Sequence, residues 1–220
     1  LSDPPYGISV VTKKERIDGG GGKLHFREGI GGGGKLHFRE GIGGGGIVDG
    51  NHYAPVIGDD TTETARKSYE IAKKQTKEQI IFGGNYFTDF LPPKRCWLVW
   101  DKVNGDNDFA DFELAWTSFD KSARIFRYLW NGLAREGSRV IEGVKRMHPT
   151  QKPVGLLINI VEKLCPLCES FLDLFGGSGS TLIAAEQLGR KCYMMELDPH
   201  YCDVIIARWE KLTGQQARKI

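Results

Sequence analysis

Residues 171–198 read FLDLFGGSGSTLIAAEQLGRKCYMMELD, followed by Pro199. A short apolar run, a glycine-rich turn, an apolar-periodic stretch and a second β-rich run ending in acids leave few folds open. The pattern predicts strand 171–175, helix 180–188, strand 191–197 and helix 199–212. A strand, a crossover helix and a second strand in this order make a parallel βαβ unit, whose sheet must be covered by helices. The expected fold class is therefore α/β, with a mostly parallel, Rossmann-like sheet and helices on both faces.

The remainder of the chain supplies further elements for such a sheet. Thr61 to Lys77 reads as a helix, with Thr61 and Thr62 able to cap it and Ala65, Tyr69 and Ala72 at helical spacing. Strands are expected at Gln79–Phe82, Cys96–Trp100 and Phe112–Ser118. In the last of these, Phe112, Leu114 and Trp116 alternate against Asp111, Glu113 and Ala115. Arg124–Trp130 is expected to pair nearby. Pro153–Leu164 is a helix with Leu156, Leu157, Ile160, Val161 and Leu164 on one stripe and Pro153 in its first turn. A chain of 220 residues with 40% hydrophobic residues can build one domain, 1–220. The five cysteines offer a lone Cys165-Pro-Leu-Cys168, without a second ligand pair for a zinc site, and read as reduced, buried thiols; no metal is expected. No signal peptide or apolar run of membrane-spanning length is evident, which favours a cytoplasmic protein without a membrane partner.

Three short motifs carry chemistry. In Phe175-Gly176-Gly177-Ser178-Gly179, glycine lets the backbone approach a ligand and the following helix start presents unpaired N–H groups. Such a turn also suits dinucleotides and phosphates. Asp173 lies just before it, where a carboxylate can face an ammonium group. Glu196, with Asp198 behind it, lies about 20 residues beyond the turn, where an acid can bond ribose hydroxyls. The second motif is Asp3-Pro4-Pro5-Tyr6. Two prolines fix the backbone, so that a carboxylate and a carbonyl can be aimed at one amine, while Tyr6 offers a ring on which a base can stack. The third is His148-Pro149-Thr150-Gln151-Lys152-Pro153, ahead of helix 153–164. Between Lys121 and Lys152 stand eight basic residues against two acidic ones, which suits a polyphosphate partner.

These motifs in this order resemble the beta-type adenine-N6 DNA methyltransferases. The resemblance spans most of the chain outside 10–60 and is closest over 146–212. It implies a circularly permuted motif order: a catalytic motif at Asp3, Pro4, Pro5 and Tyr6, a target-recognition stretch at 120–146, and cofactor motifs last. The cofactor implied is S-adenosylmethionine, held by Thr150, Lys152, Asp173, Phe175, Gly176, Gly177, Ser178, Gly179, Glu196 and Asp198. The partner implied is double-stranded DNA; a homodimer and a cognate restriction endonuclease are compatible with it. Cytosine-N4 methylation is the alternative within the family, although Ser usually stands there in place of Asp3. An inactive nucleic-acid-binding remnant is the alternative of another class, because only Leu1 and Ser2 precede the catalytic motif where the family has a longer apolar strand. On that ground the chain is expected to be cut from a longer parent.

Residues 19–30 read GGGGKLHFREGI, residues 31–42 repeat them without change, and another GGGG follows at 43–46. Ordering a residue costs about 1–2 kcal/mol of backbone entropy, and glycine has no side chain to offset it. Residues 19–46 are therefore expected to form a flexible insert, with His25 and His37 as exposed bystanders and Lys23, Phe26, Arg27, Lys35, Phe38 and Arg39 available to DNA. Deleting residues 31–42 should leave the melting temperature almost unchanged. Any loss should appear in DNA affinity and its salt dependence; a large drop on thermal melting would show that the repeat packs into the core.

Overall fold

The computed structural model describes residues 1–8, 56, 58–103, 110–131, 134–137, 147–148 and 150–219. The duplicated segment and its histidines, Pro149 and residues 138–146 of the 120–146 stretch lie outside the described residues. In chain order the elements are α1 (Glu63–Gln75), β1 (Ile80–Phe82), a 3₁₀ turn (Gly84–Tyr86), β2 (Trp97–Asp101), β3 (Phe112–Thr117), β4 (Arg124–Arg127), β5 (Trp130–Asn131), β6 (Ala134–Arg135), α2 (Val154–Leu164), β7 (Ser170–Asp173), α3 (Ser180–Gln187), β8 (Lys191–Met194) and α4 (Pro199–Thr213).

Four strands form a sheet in the order β1-β3-β2-β4, and β7 and β8 form a separate parallel pair. Residues 1 and 2 lie between the two. Ser2 pairs parallel to Ile81, its N–H donating to the Ile80 carbonyl at 2.9 Å while its own carbonyl accepts from Phe82 at 3.0 Å. On the other side the Leu1 amine donates to the Leu172 carbonyl at 3.1 Å. The arrangement is mixed, and this corrects the expectation of a mostly parallel sheet. β3 runs antiparallel to both β1 and β2, whereas β2–β4 and β7–β8 are parallel. The reason lies in the β2–β3 connection. Only eight residues separate Lys102 from Asp111, whose carbonyl accepts from the Lys102 N–H at 2.9 Å, whereas a crossover to a parallel strand needs about a dozen or more.

Helices cover both faces. Ile80 and Phe82 point to the side where Leu156, Leu157 and Ile160 of α2 and Ile183 and Ala184 of α3 form the main core. Ile81, between them, points to the opposite side, where Ala65 and Tyr69 of α1 pack with Phe87, Leu91 and Trp116. This double covering ends the simple alternation expected in β3. Ala115, Trp116 and Thr117 are all buried, whereas Phe112 at the strand's start is 52% exposed.

Local details depart from expectation as well. At the start of α1 it is the Thr61 hydroxyl, not Thr62, that accepts from the Glu63 N–H, at 3.4 Å. Pro153 stands one residue before α2 with extended backbone, its carbonyl accepting from Leu157 at 3.2 Å. Of the five thiols only Cys96 is fully buried; the other four are half-buried. Burial, together with the neighbouring Cys168 in the first case, pushes Cys165 and Cys192 up to about 12. Among the described residues no helix is long and apolar enough to cross a membrane.

Leu156 of α2 is 0% exposed at the centre of the main core. Leu156→Ala should cost about 2–5 kcal/mol, the range for a truncated buried leucine. Denaturant unfolding would show the loss as a lower midpoint with unchanged slope.

Candidate functional site

A cavity of ≈ 340 Å³ opens where residues 1–3, β7 and β8 end. Its floor is the glycine turn. Asp173 closes β7, and its Oδ1 accepts from the Phe175 N–H at 3.0 Å. The chain then reverses through Gly177 and Gly179, with φ of +49° and +79°, conformations that cost a side-chain-bearing residue strain. The turn is fastened on both sides. Gly176 N–H donates to the Met195 carbonyl at 2.8 Å, and Arg208 of α4, 7% exposed, donates to the Ser178 carbonyl at 2.8 Å.

Glu196 is the opposite wall. Its Oε2 accepts from the Gly177 N–H at 2.6 Å, and its Oε1 from the N–H groups of Leu197 and Asp198, both at 2.9 Å. Three backbone donors orient the carboxylate. A carboxylate has about four acceptor positions, so one stays open for a ligand hydroxyl. Asp198 caps α4, accepting from His200 N–H at 2.8 Å, while still lining the cavity. His148 forms a further wall, edge-on to Tyr201 at 4.5 Å. Burial, then repulsion from Lys152, lowers its pKa to about 4, so at neutral pH it is an uncharged ring. Burial acts on Asp173 in the opposite sense and raises it to about 6, against hydrogen bonds from Thr181 and Phe175 and the Leu1 amine.

At the other end of the cavity stands Asp3. Tyr6 hydroxyl donates to its Oδ1 at 2.6 Å and the Lys152 ammonium to its Oδ2 at 2.6 Å. Lys152, 6% exposed, also lies 3.2 Å from Glu113 Oε2, and Lys102 lies 2.7 Å from Glu113 Oε1. Two cations and two carboxylates thus neutralise one another in a buried chain, as burial of charge demands. Burial alone would release the Lys152 proton, but Asp3 and Glu113 outweigh it and hold the ammonium above its ordinary value. Burial likewise works against the Glu113 carboxylate, yet Lys152 and Lys102 keep it below the ordinary range. For Asp3 burial prevails over Lys152, and its pKa is raised. The Tyr6 ring is stacked on Tyr86, with centroids 5.1 Å apart, so one of its faces is already covered. It lies against Gly83, where a Cβ would come within 2.3 Å of the ring.

The structure brings Asp3, Pro4, Pro5, Tyr6, Thr150, Lys152, Asp173, Phe175, Gly176, Gly177, Ser178, Glu196 and Asp198 around this one cavity. Gly179 is the exception: it sits at the N-terminus of α3, packed beneath Ile205. Lys152, expected beside a cofactor, is bonded to Asp3. Three residues of the site escaped sequence reasoning. Glu113 stood in the alternation expected of strand 112–118, Arg208 within helix 199–212, and Tyr86 was assigned to no element. The one available signal was Arg208, a lone cation inside the apolar run Val204–Trp209.

Comparison with known proteins bears on this geometry. The Putative methylase YubD of Escherichia coli (strain K12) is 45% identical over 56 residues, 26% of this chain and 25% of that protein. Type II methyltransferase M2.MboI of Moraxella bovis is 35% identical over 72 residues, 33% of this chain and 26% of that protein. The chain thus spans about a quarter of the length of these curated relatives. Among solved structures, the crystal structure of an M1.HpyAVI-SAM complex aligns with a TM-score of 0.48 and 20% identity, covering 68% of this chain and 84% of that one. A family model described as DNA methylase, of the N6/N4 type, matches residues 49–208, well over half of the chain. The chain belongs to the N6/N4 DNA methylase family.

Proposed function

We propose that this chain transfers a methyl group from S-adenosylmethionine to the N6 amine of adenine in double-stranded DNA. The observation that carries the reading is the shared cavity, with a rigid Asp3-Pro4-Pro5-Tyr6 corner at one end and the glycine turn, Asp173 and Glu196 at the other. The motif order, amine corner first and glycine turn last, supports the permuted arrangement of the beta-type enzymes. Asp3 in the first position favours adenine over cytosine.

The donor set fits the cofactor. Asp173, 4% exposed and without a full counter-charge, suits the amino-acid ammonium. Glu196 has one acceptor position left for the ribose hydroxyls. A volume of ≈ 340 Å³ lies in the range of small-molecule sites. When bound, S-adenosylmethionine supplies a methyl group made electrophilic by its sulfonium. The protein's task is then to improve a poor nucleophile. The adenine amine donates its lone pair into the ring. Asp3 and the Pro4 carbonyl, accepting its two N–H groups, favour a more tetrahedral nitrogen with that pair localised. Neutral His148 and the apolar walls exclude water without adding charge.

Incubation with labelled S-adenosylmethionine and double-stranded DNA, followed by nucleoside analysis, should place the label in N6-methyladenine. Asp3→Ala should cut this rate at least about tenfold, the loss of a transition-state contact near 1.4 kcal/mol, with cofactor affinity nearly intact. Label in N4-methylcytosine, or more than about a tenth of the rate surviving in the variant, would count against the reading.

Cofactor affinity should also follow the ionisation of Asp173. Its pKa is raised in the folded protein, so the carboxyl is protonated below about 6 and a cationic ligand must displace that proton. Affinity should be nearly flat around pH 7 and fall by about tenfold per pH unit below about pH 6. Calorimetric titration between pH 5 and 8 measures this, and Asp173→Asn should remove the slope.

A further inference from the structure

Two cavities meet at Lys152. The second, of ≈ 280 Å³, has Glu113 and Lys102 in its wall and shares Tyr6 and Lys152 with the first. Asp3 lines the first cavity and Glu113 the second. Lys152 is therefore part of the partition, with one carboxylate on each side at 2.6 and 3.2 Å.

Asp3 presents a problem for its own proposed task. Tyr6 occupies its Oδ1 and Lys152 its Oδ2. Acceptor positions remain on such a carboxylate, but an amine reaching Asp3 from the second cavity must pass the Lys152 ammonium, which lines both cavities. The Tyr6 ring is fixed by the Tyr86 stack and the Gly83 backbone. Lys152 is different. Its side chain is long, and a second carboxylate stands within ion-pair distance. That carboxylate is itself held by Lys102 at 2.7 Å, so it stays in place when Lys152 moves.

We propose that Glu113 is a positioning residue: it takes over the Lys152 ammonium when Asp3 turns to the amine of the substrate base. The proposal rests on the reading of Asp3 as the acceptor of that amine. The transfer moves no proton. One ammonium exchanges a carboxylate on the first cavity for one on the second, and the buried site stays neutral throughout. The exchange also opens the partition where amine and methyl donor must meet.

The test combines rates with melting. Glu113→Gln should lower kcat for methyl transfer about tenfold or more, with cofactor Kd and the KM for DNA changed less than about twofold, the signature of a contact made after binding. Glu113→Asp, which keeps the charge, should recover most of the lost rate. In a Lys152→Met background, Glu113→Gln should remove no further rate. Melting gives an arm independent of activity. In an Asp3→Asn background Glu113 is the carboxylate left to Lys152, so Glu113→Gln should lower the melting temperature by about 2–4 °C more than it does in the wild-type background. Equal penalties in the two backgrounds, an unchanged kcat, or a further rate loss beside Lys152→Met would overturn the inference alone. A wild-type protein that methylates no DNA would overturn the reading it rests on as well.

Discussion

The short stretch from Leu1 to Asp3 holds the site together. It hydrogen-bonds to β1 through Ser2 and to β7 through Leu1, and so joins two groups of strands that, among the described residues, otherwise share no ladder. A parallel strand in that slot carries its next residue to the carboxyl edge, where β7 ends in Asp173. The amine corner and the glycine turn become neighbours for that reason alone. Open α/β sheets bind ligands at this edge, and here three hydrogen bonds create it.

Electrostatics then separates the cavity into two kinds of surface. Near the glycine turn the acids face backbone N–H groups, and Asp173 keeps a raised pKa because burial is incompletely compensated. Near Asp3 every charge has a side-chain partner of opposite sign. The first end is ready to receive a cation. The second is already neutral, so a neutral, hydrogen-bonding partner suits it better than a charged one.

The legible parts of the sequence were those governed by local rules. The strand–turn–helix at 171–188 could be read because glycine, apolar periodicity and acids each have a local cause, and the structure places a strand, a positive-φ turn and a helix there. The direction of β3 was not read, although Asn104-Gly105, in the connection between β2 and β3, is a hairpin dipeptide; taken one at a time, its residues look like any strand. Glu113 was hidden for a related reason. Alternation assigns faces, but it cannot say that both faces are covered or that a lysine 39 residues later reaches one of them. Long-range partners of this kind are set by topology, which propensity does not encode.

The bond between Leu1 and Leu172 spans 171 residues. Loop-closure entropy makes such a contact slow to form, whereas β2 and β3 are consecutive in the chain and α3 packs beside its own strands. The architecture thus orders its own assembly. The two groups of strands can gain structure early, and the Asp3 corner is completed only when residues 1–3 pair between them. Hydrogen exchange during refolding would register this as late protection at Phe82, the amide that bonds to Ser2. The cavity between Asp3 and Asp173 is then complete only after both groups of strands have formed.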